Sequence, residues 1–208
     1  MLHLMSILLL LWKLKKSKSC VGISCRMQEC YAIVFCLRYL DLFYQFISVY
    51  NTAMKVVFIS STFYLIFLMR FQPPVSATYD RTADSFPYEQ YLLGPAAVLG
   101  FISAEEWSIP EIFWTASIWL ESVSILPQLI LLQQLREVEN LTAEFVATMG
   151  AYRFFYILNW IYRYFAEGYV NWIGWLGGIV QTGLYVDFFY YYAMSKWYGQ
   201  KLVLPLAT

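Results

Sequence analysis

Seven apolar segments fill most of this 208-residue chain, at roughly 1–14, 29–49, 54–71, 89–104, 110–133, 145–165 and 171–194. About 20 apolar residues cross a bilayer, fewer where the membrane thins or flanking side chains snorkel. Hydrocarbon offers no water to backbone N–H and C=O groups, so a crossing segment must pair them internally, as an α-helix does. The pattern therefore predicts an all-α membrane protein of seven transmembrane helices, the first and fourth being short. Composition agrees, with 60% hydrophobic and only 13% charged residues, about half the charged share of a soluble domain. A formal net charge of +0 gives no global support to nucleic acid as a partner. One domain is expected over 1–208, with a short cytosolic tail from about 195.

The connecting loops orient the spans. Lys13, Lys15, Lys16, Lys18 and Arg26 crowd the first loop, Arg70 and Arg81 the third, Arg136 the fifth, and Lys196 and Lys201 the tail. The alternate loops carry Lys55, Glu105, Glu106 and Glu167. The positive-inside rule then puts the odd-numbered loops and the C-terminus in the cytosol and the N-terminus in the lumen. On this assignment the sequon Asn140-Leu141-Thr142 is cytosolic and unmodified, and the polar third loop is an ordinary surface connection. Cys20, Cys25, Cys30 and Cys36 match no zinc spacing and read as free thiols, so no metal is expected.

Charges inside the apolar segments point to function. Each one at a helix centre costs roughly 2.5–3.5 kcal/mol on insertion scales. In "RYLDLFYQFIS" Arg38, Asp41 and Gln45 are spaced for one helical face. The fifth segment, "EIFWTASIWLESVSILPQ", carries Glu111, Trp114 and Glu121, the last two a pair of turns apart on one face. In the sixth, "YRFFYILNWIYRYF", Tyr152, Arg153, Tyr156, Asn159, Trp160 and Arg163 make one broad polar-aromatic face. Asp187 lies in the seventh. Single pairs of this kind usually glue helices together. Three converging arginines, even with Asp41, Glu111, Glu121 and Asp187 to compensate, are better explained by a water-filled cavity that admits carboxylates. Ser108-Ile109-Pro110-Glu111 also fits a capping box, so Glu111 suits either a cap or a ligand contact. Trp114 suits either a stacked ligand cation or a lipid-facing position. His3, the chain's one histidine, is by itself an ordinary terminal residue with a pKa near 6.5. With no nucleophile–base constellation, phosphate loop or metal cluster in the sequence, neither catalysis nor a cofactor is expected.

The stretches "SCVGIS", "RYLDLF", "YNTAMKV", "ATYD", "WTASIWLESVSILPQL", "YRFFYILNWIYRYFAEG", "VQTGLYVDFFYYY" and "KLVLP" resemble, in order and spacing, the ER lumen protein-retaining (KDEL) receptors. The resemblance runs from about His3 to Pro205. It implies a SWEET/PQ-loop-like helix-triplet bundle whose lumenal cavity binds C-terminal Lys/His-Asp-Glu-Leu peptides of escaped ER proteins. It also implies multi-pass residence in ER and Golgi membranes, acid-favoured capture, and return in coated retrograde vesicles recruited by the cytosolic tail.

Carried over by position, Arg38 and Tyr39 hold the peptide's terminal carboxylate. Trp160 and Arg163 help capture the signal's carboxylates, while Asp41, Glu111 and Trp114 select its basic residue. His3 becomes the pH sensor, coupled to Glu121, Tyr152 and Arg153, and Asp187 is expected in the same network. The family has a longer segment ahead of its histidine, with an arginine that contacts the signal. This chain begins at Met1, close to His3, so a misassigned start or a truncated first helix is expected. Asn171 replaces an acidic trafficking residue, Gln200 replaces one of two tail lysines and leaves Lys201, and Val203 stands at a phosphorylatable serine position. The alternatives are a SWEET/PQ-loop-type solute transporter, suggested by Pro127-Gln128, or a degenerate receptor relative without retrieval activity.

Overall fold

The computed structural model describes residues 2–205. Its helices are α1 (Leu2–Ser17), α2 (Cys25–Arg38), α3 (Val49–Arg70), α4 (Gly94–Ser103), α5 (Ile109–Val123), α6 (Leu126–Leu135), α7 (Asn140–Glu167) and α8 (Trp172–Tyr198). The fifth apolar segment supplies both α5 and α6, so the described residues form seven rods, as the segments predict. Pro127, with no N–H to donate, breaks the fifth rod in its first turn. The fourth rod is short, α4 being lengthened only by the π-helical turn Glu89–Leu93.

Local chemistry sets the ends. Ser24, Ser48, Ser108 and Asn171 each accept a hydrogen bond from a first-turn amide of the helix that follows. Gly168 and Gly199 close α7 and α8 in the left-handed conformation that favours glycine. Helix α5 lies at the centre, packed against α2, α4 and α8, while α7 packs on α1 and α8.

One expected helix ends early. The apolar run 29–49 continues α2 only to Arg38, after which Leu40–Phe43 forms a 3₁₀ turn. Arg38, Asp41 and Gln45 therefore do not share a helical face. Asp41 instead turns its main-chain carbonyl to the amides of Tyr44 (3.2 Å) and Gln45 (2.8 Å).

The end of the bundle bearing the lysine-rich loop is stapled by buried polar groups. Lys13 is buried and donates to the carbonyl of Val21 (3.1 Å) and to the hydroxyl of Thr142, with Glu139 3.0 Å away. Thr142, the third residue of the sequon, is thus engaged within the protein. Gln128, freed by the break at Pro127, donates to the carbonyl of Gly22 (2.7 Å) and accepts from the Ser24 amide (2.9 Å).

The third loop is not a plain surface connection. Its Asp84 is 2% exposed and accepts from the Ser24 hydroxyl (2.7 Å), the amides of Cys25 (2.8 Å) and Arg26 (3.2 Å), and the Tyr79 hydroxyl (2.8 Å). A carboxylate at the start of α2 meets the positive end of the helix dipole. Burial, then the bond to Asp84, raises the Tyr79 phenol well above its usual range, which keeps it a donor. The four cysteines are free thiols, Cys36 exposed and the others buried.

The tail also packs. Leu202–Val203 pairs antiparallel with Glu137–Val138, and the Leu204 amide reaches the carbonyl of Arg136 at 2.9 Å.

Close approach of α4 and α5 depends on Gly100. A Cβ there would lie 2.5 Å from the Cβ and 2.6 Å from the Cα of Ala116, and main chain cannot yield as a side-chain tip can. Gly100→Ala is expected to destabilise the fold by about 1–3 kcal/mol. Thermal unfolding in detergent checks this, with Gly183→Ala, which meets nothing within 4 Å, expected to unfold like the parent.

Candidate functional site

The starts of α1, α3, α5 and α8 and the ends of α2 and α7 gather at the end of the bundle opposite the lysine-rich loop. There they enclose two connected chambers, an inner one of about 700 Å³ and an outer one of about 630 Å³. Arg38, Tyr39, Trp114 and Asn171 line both.

Glu121 anchors the inner chamber. It is 3% exposed and is held between two guanidinium groups, Arg38 of α2 on one oxygen and Arg153 of α7 on the other. The Tyr152 hydroxyl donates to Glu121 at 2.8 Å and accepts from Arg153 Nε at 3.0 Å. Ser117, one helical turn before Glu121, accepts from Arg38 Nε at 3.1 Å. Arg38 Nη2 is buried and has no hydrogen-bond partner among the described residues. His3 stacks on Tyr152, with centroids 4.7 Å apart and planes 11° from parallel, and its ring also meets Tyr31, Phe35 and Phe58. The first helix thus brings the histidine onto the residue that bonds Glu121. Trp160 closes one wall, and Gly178 of α8 makes room for it, since a Cβ there would lie 2.5 Å from its ring.

The outer chamber has the opposite character. Asp41, Glu105 and Glu111 line it with a single lysine, Lys55. Ser108 caps α5 by accepting from the Glu111 amide at 3.4 Å, but the Glu111 carboxylate does not complete a capping box. The Ser108 amide goes to the carbonyl of Glu106 (2.9 Å), while the Glu111 carboxylate accepts from Thr115 at 3.3 Å and lines the cavity. Trp114 faces both chambers rather than lipid.

Two expected positions, Arg163 and Asp187, lie elsewhere. Arg163 lines neither chamber: its Nε is 2.8 Å from Glu167 and its guanidinium lies 4.4 Å from the Tyr169 ring centroid. It sits about a turn beyond Trp160 on a helix that is leaving the cavity. Asp187 is exposed and outside the Glu121 network. The inward face of α8 runs through Gln181, Tyr185 and Phe188, and a residue two past Tyr185 is turned about 200° away from it. Asn171 is the N-cap of α8, its side chain accepting from the Gly174 amide at 2.9 Å, and it stands at the cavity wall. Lys201 pairs with Glu137 beside the two-stranded tail contact.

Two site residues escaped the sequence reading. Ser117 was legible as the i,i+4 partner of Glu121. Lys55 reads by composition as a loop residue, yet its side chain is 11% exposed and paired to Asp41.

A family profile described as "ER lumen protein retaining receptor" matches residues 19–163. The "ER lumen protein-retaining receptor" of Plasmodium falciparum is 58% identical over 206 residues, which is 98% of this chain and 93% of that one. Receptor B of that name in Arabidopsis thaliana is 50% identical over 206 residues, 99% and 95% of the two chains. The Entamoeba histolytica receptor is 48% identical over 208 residues, again 99% and 95%. Full-length similarity at this level, together with a bundle enclosing a cavity built on Arg38, Glu121 and Arg153, places this chain in the ER lumen protein retaining receptor family.

Proposed function

We propose that this chain is a retrieval receptor that binds C-terminal Lys/His-Asp-Glu-Leu tails, inserted carboxylate first. The observation that carries the reading is the buried Nη2 of Arg38, without a partner among the described residues, on a side chain that lines both chambers. A buried guanidinium N–H without an acceptor costs free energy, and an entering carboxylate removes that cost.

The polarity of the cavity supplies the direction. Inside, Arg38 and Arg153 face Glu121; at the mouth, Asp41, Glu105 and Glu111 outnumber Lys55 and the shared Arg38. A ligand with carboxylates at its leading end and a cation behind matches this gradient, and the reverse orientation opposes it. The Tyr39 ring and Trp114, at the junction, offer flat faces to the chain between. A neutral sugar would leave the inner positive charge unmatched, which disfavours the solute-transporter reading.

Acid promotes capture through His3. The charged and titratable groups facing it are Tyr31 and Arg38 of α2, Glu121 of α5, and Tyr152 and Arg153 of α7. Protonation adds a positive charge to a chamber that receives carboxylates, so binding tightens as pH falls, and bound ligand in turn favours the protonated histidine. In the cell the chain spans ER and Golgi membranes with its N-terminus lumenal and its C-terminus cytosolic. It captures ligand in the more acidic compartment and returns through a coat recruited by the tail around Lys201. Nothing in this cycle calls for catalysis.

Binding of labelled peptide to the purified full chain tests the reading. A peptide ending in Lys-Asp-Glu-Leu should bind more tightly at mildly acidic than at neutral pH, and its C-terminal amide should not bind. Equal binding of acid and amide would overturn it. Arg38→Ala is expected to weaken binding at least about a hundredfold, because breaking a buried charge pair costs about 3 kcal/mol or more. Unchanged affinity would remove Arg38 from the site. His3→Ala should leave affinity nearly independent of pH in this range; a persisting acid dependence would assign the sensor to another group.

A further inference from the structure

Lys55 has no role in the reading so far. It belongs to the second turn of α3 and points into the outer chamber, where its ammonium pairs with one oxygen of Asp41 and lies 5.8 Å from the centroid of Tyr39. The other oxygen of Asp41, Oδ1, is buried and has no hydrogen-bond partner among the described residues. Asp41 is thus half used. One oxygen holds a cation that belongs to the protein, and its neighbour is buried and unpaired on a residue that lines the chamber expected to receive a cation from the ligand.

We propose that Lys55 is a specificity-determining residue that occupies Asp41 as an internal cation and so sets how strongly the mouth distinguishes a basic first signal residue from a neutral one. This deepens the receptor reading and rests on it. The ligand's lysine or imidazolium binds at Asp41 Oδ1, with the Glu111 carboxylate on the same chamber wall. Lys55 remains on the far oxygen. Because the ammonium cancels most of the charge of Asp41, the field at the ligand's first residue is that of the remaining carboxylates, Glu111 and Glu105. A neutral first residue is then penalised less than it would be against three bare carboxylates. Lys55 also adds a positive charge close to the ligand's own carboxylates, which favours every signal equally. Affinity alone mixes these effects. The ratio of affinities for two peptides that differ only at the first position separates them, because the common contribution cancels.

The decisive measurement compares Kd for peptides ending in Lys-Asp-Glu-Leu and Ala-Asp-Glu-Leu on the full-length protein, in the parent, Lys55→Gln and Lys55→Arg. The lysine-over-alanine preference should rise about fivefold in Lys55→Gln, the upper end of what a solvent-screened ion pair is worth. Lys55→Arg, which keeps the cation, should preserve the parent ratio. With Asp41→Asn already present, Lys55→Gln should no longer change it, which ties the effect to that pair. Where Lys55→Gln does not accumulate, Lys55→Met, which retains an apolar stem along Tyr39, serves for the same ratio. An unchanged ratio in a variant that still binds peptide would overturn the role of Lys55 and leave the receptor reading intact. So would a rise that persists with Asp41→Asn. Failure of the parent to bind either peptide would instead bring down the receptor reading, and this inference with it.

Discussion

The structure turns on Glu121, a carboxylate buried between the guanidinium groups of Arg38 and Arg153. Neither sign of charge is tolerable alone at that depth, since desolvation of an unpaired ion exceeds what a few contacts return. The three residues come from α2, α5 and α7, so the pairing also specifies how those helices meet. Tyr152 and Ser117 take up further hydrogen-bonding capacity of the cluster. What remains, Arg38 Nη2, is buried without a hydrogen-bond partner among the described residues, on a side chain that lines the cavity. A structural ion cluster with one group left over is what a preorganised anion site requires, because the cost of assembling its charges is met in folding rather than in binding.

Around this cluster the bundle separates stability from recognition. At one end, buried polar staples at Lys13, Asp84 and Gln128 join loops to helix starts. At the other, helix ends splay around a cavity lined by Asp41 and Arg38, whose Oδ1 and Nη2 keep unfilled hydrogen-bonding capacity among the described residues. Asp84 links the two ends indirectly. It holds the first turn of α2, and α2 carries Arg38 as its last residue. The electrostatic gradient from acidic mouth to basic interior follows from which helix ends meet there. It is encoded by no single motif.

Much of the fold was legible from hydrophobic periodicity. The seven apolar segments match seven rods because hydrocarbon leaves a backbone few other options. Periodicity also identified the polar face of α7 as far as Trp160. It failed where helical geometry was assumed past its end. The run 29–49 stays apolar, yet α2 stops at Arg38, so the i,i+3 spacing to Asp41 carried no meaning there. It failed again at Arg163 and Asp187, where the residue type suited the site but the helix faced it elsewhere. Lys55 was misread because a lysine near a segment boundary looks like a solvated loop residue until a buried partner is seen. The resemblance to the receptor family, which the comparisons bear out, located most cavity residues that spacing alone could only group.

The sequence by itself determined the helical membrane class, the number of spans, and the presence of more intramembrane charge than helix packing needs, because each rests on local composition and the chemistry of the bilayer. Only the tertiary structure decided which charges meet. Glu121 takes two of the three arginines, Arg163 turns to Glu167, and Asp41 pairs with Lys55 through one oxygen while the other is buried without a partner among the described residues. Those pairings depend on the rotation and depth of each helix against its neighbours. Packing across the whole bundle sets them, beyond the reach of spacing along one segment.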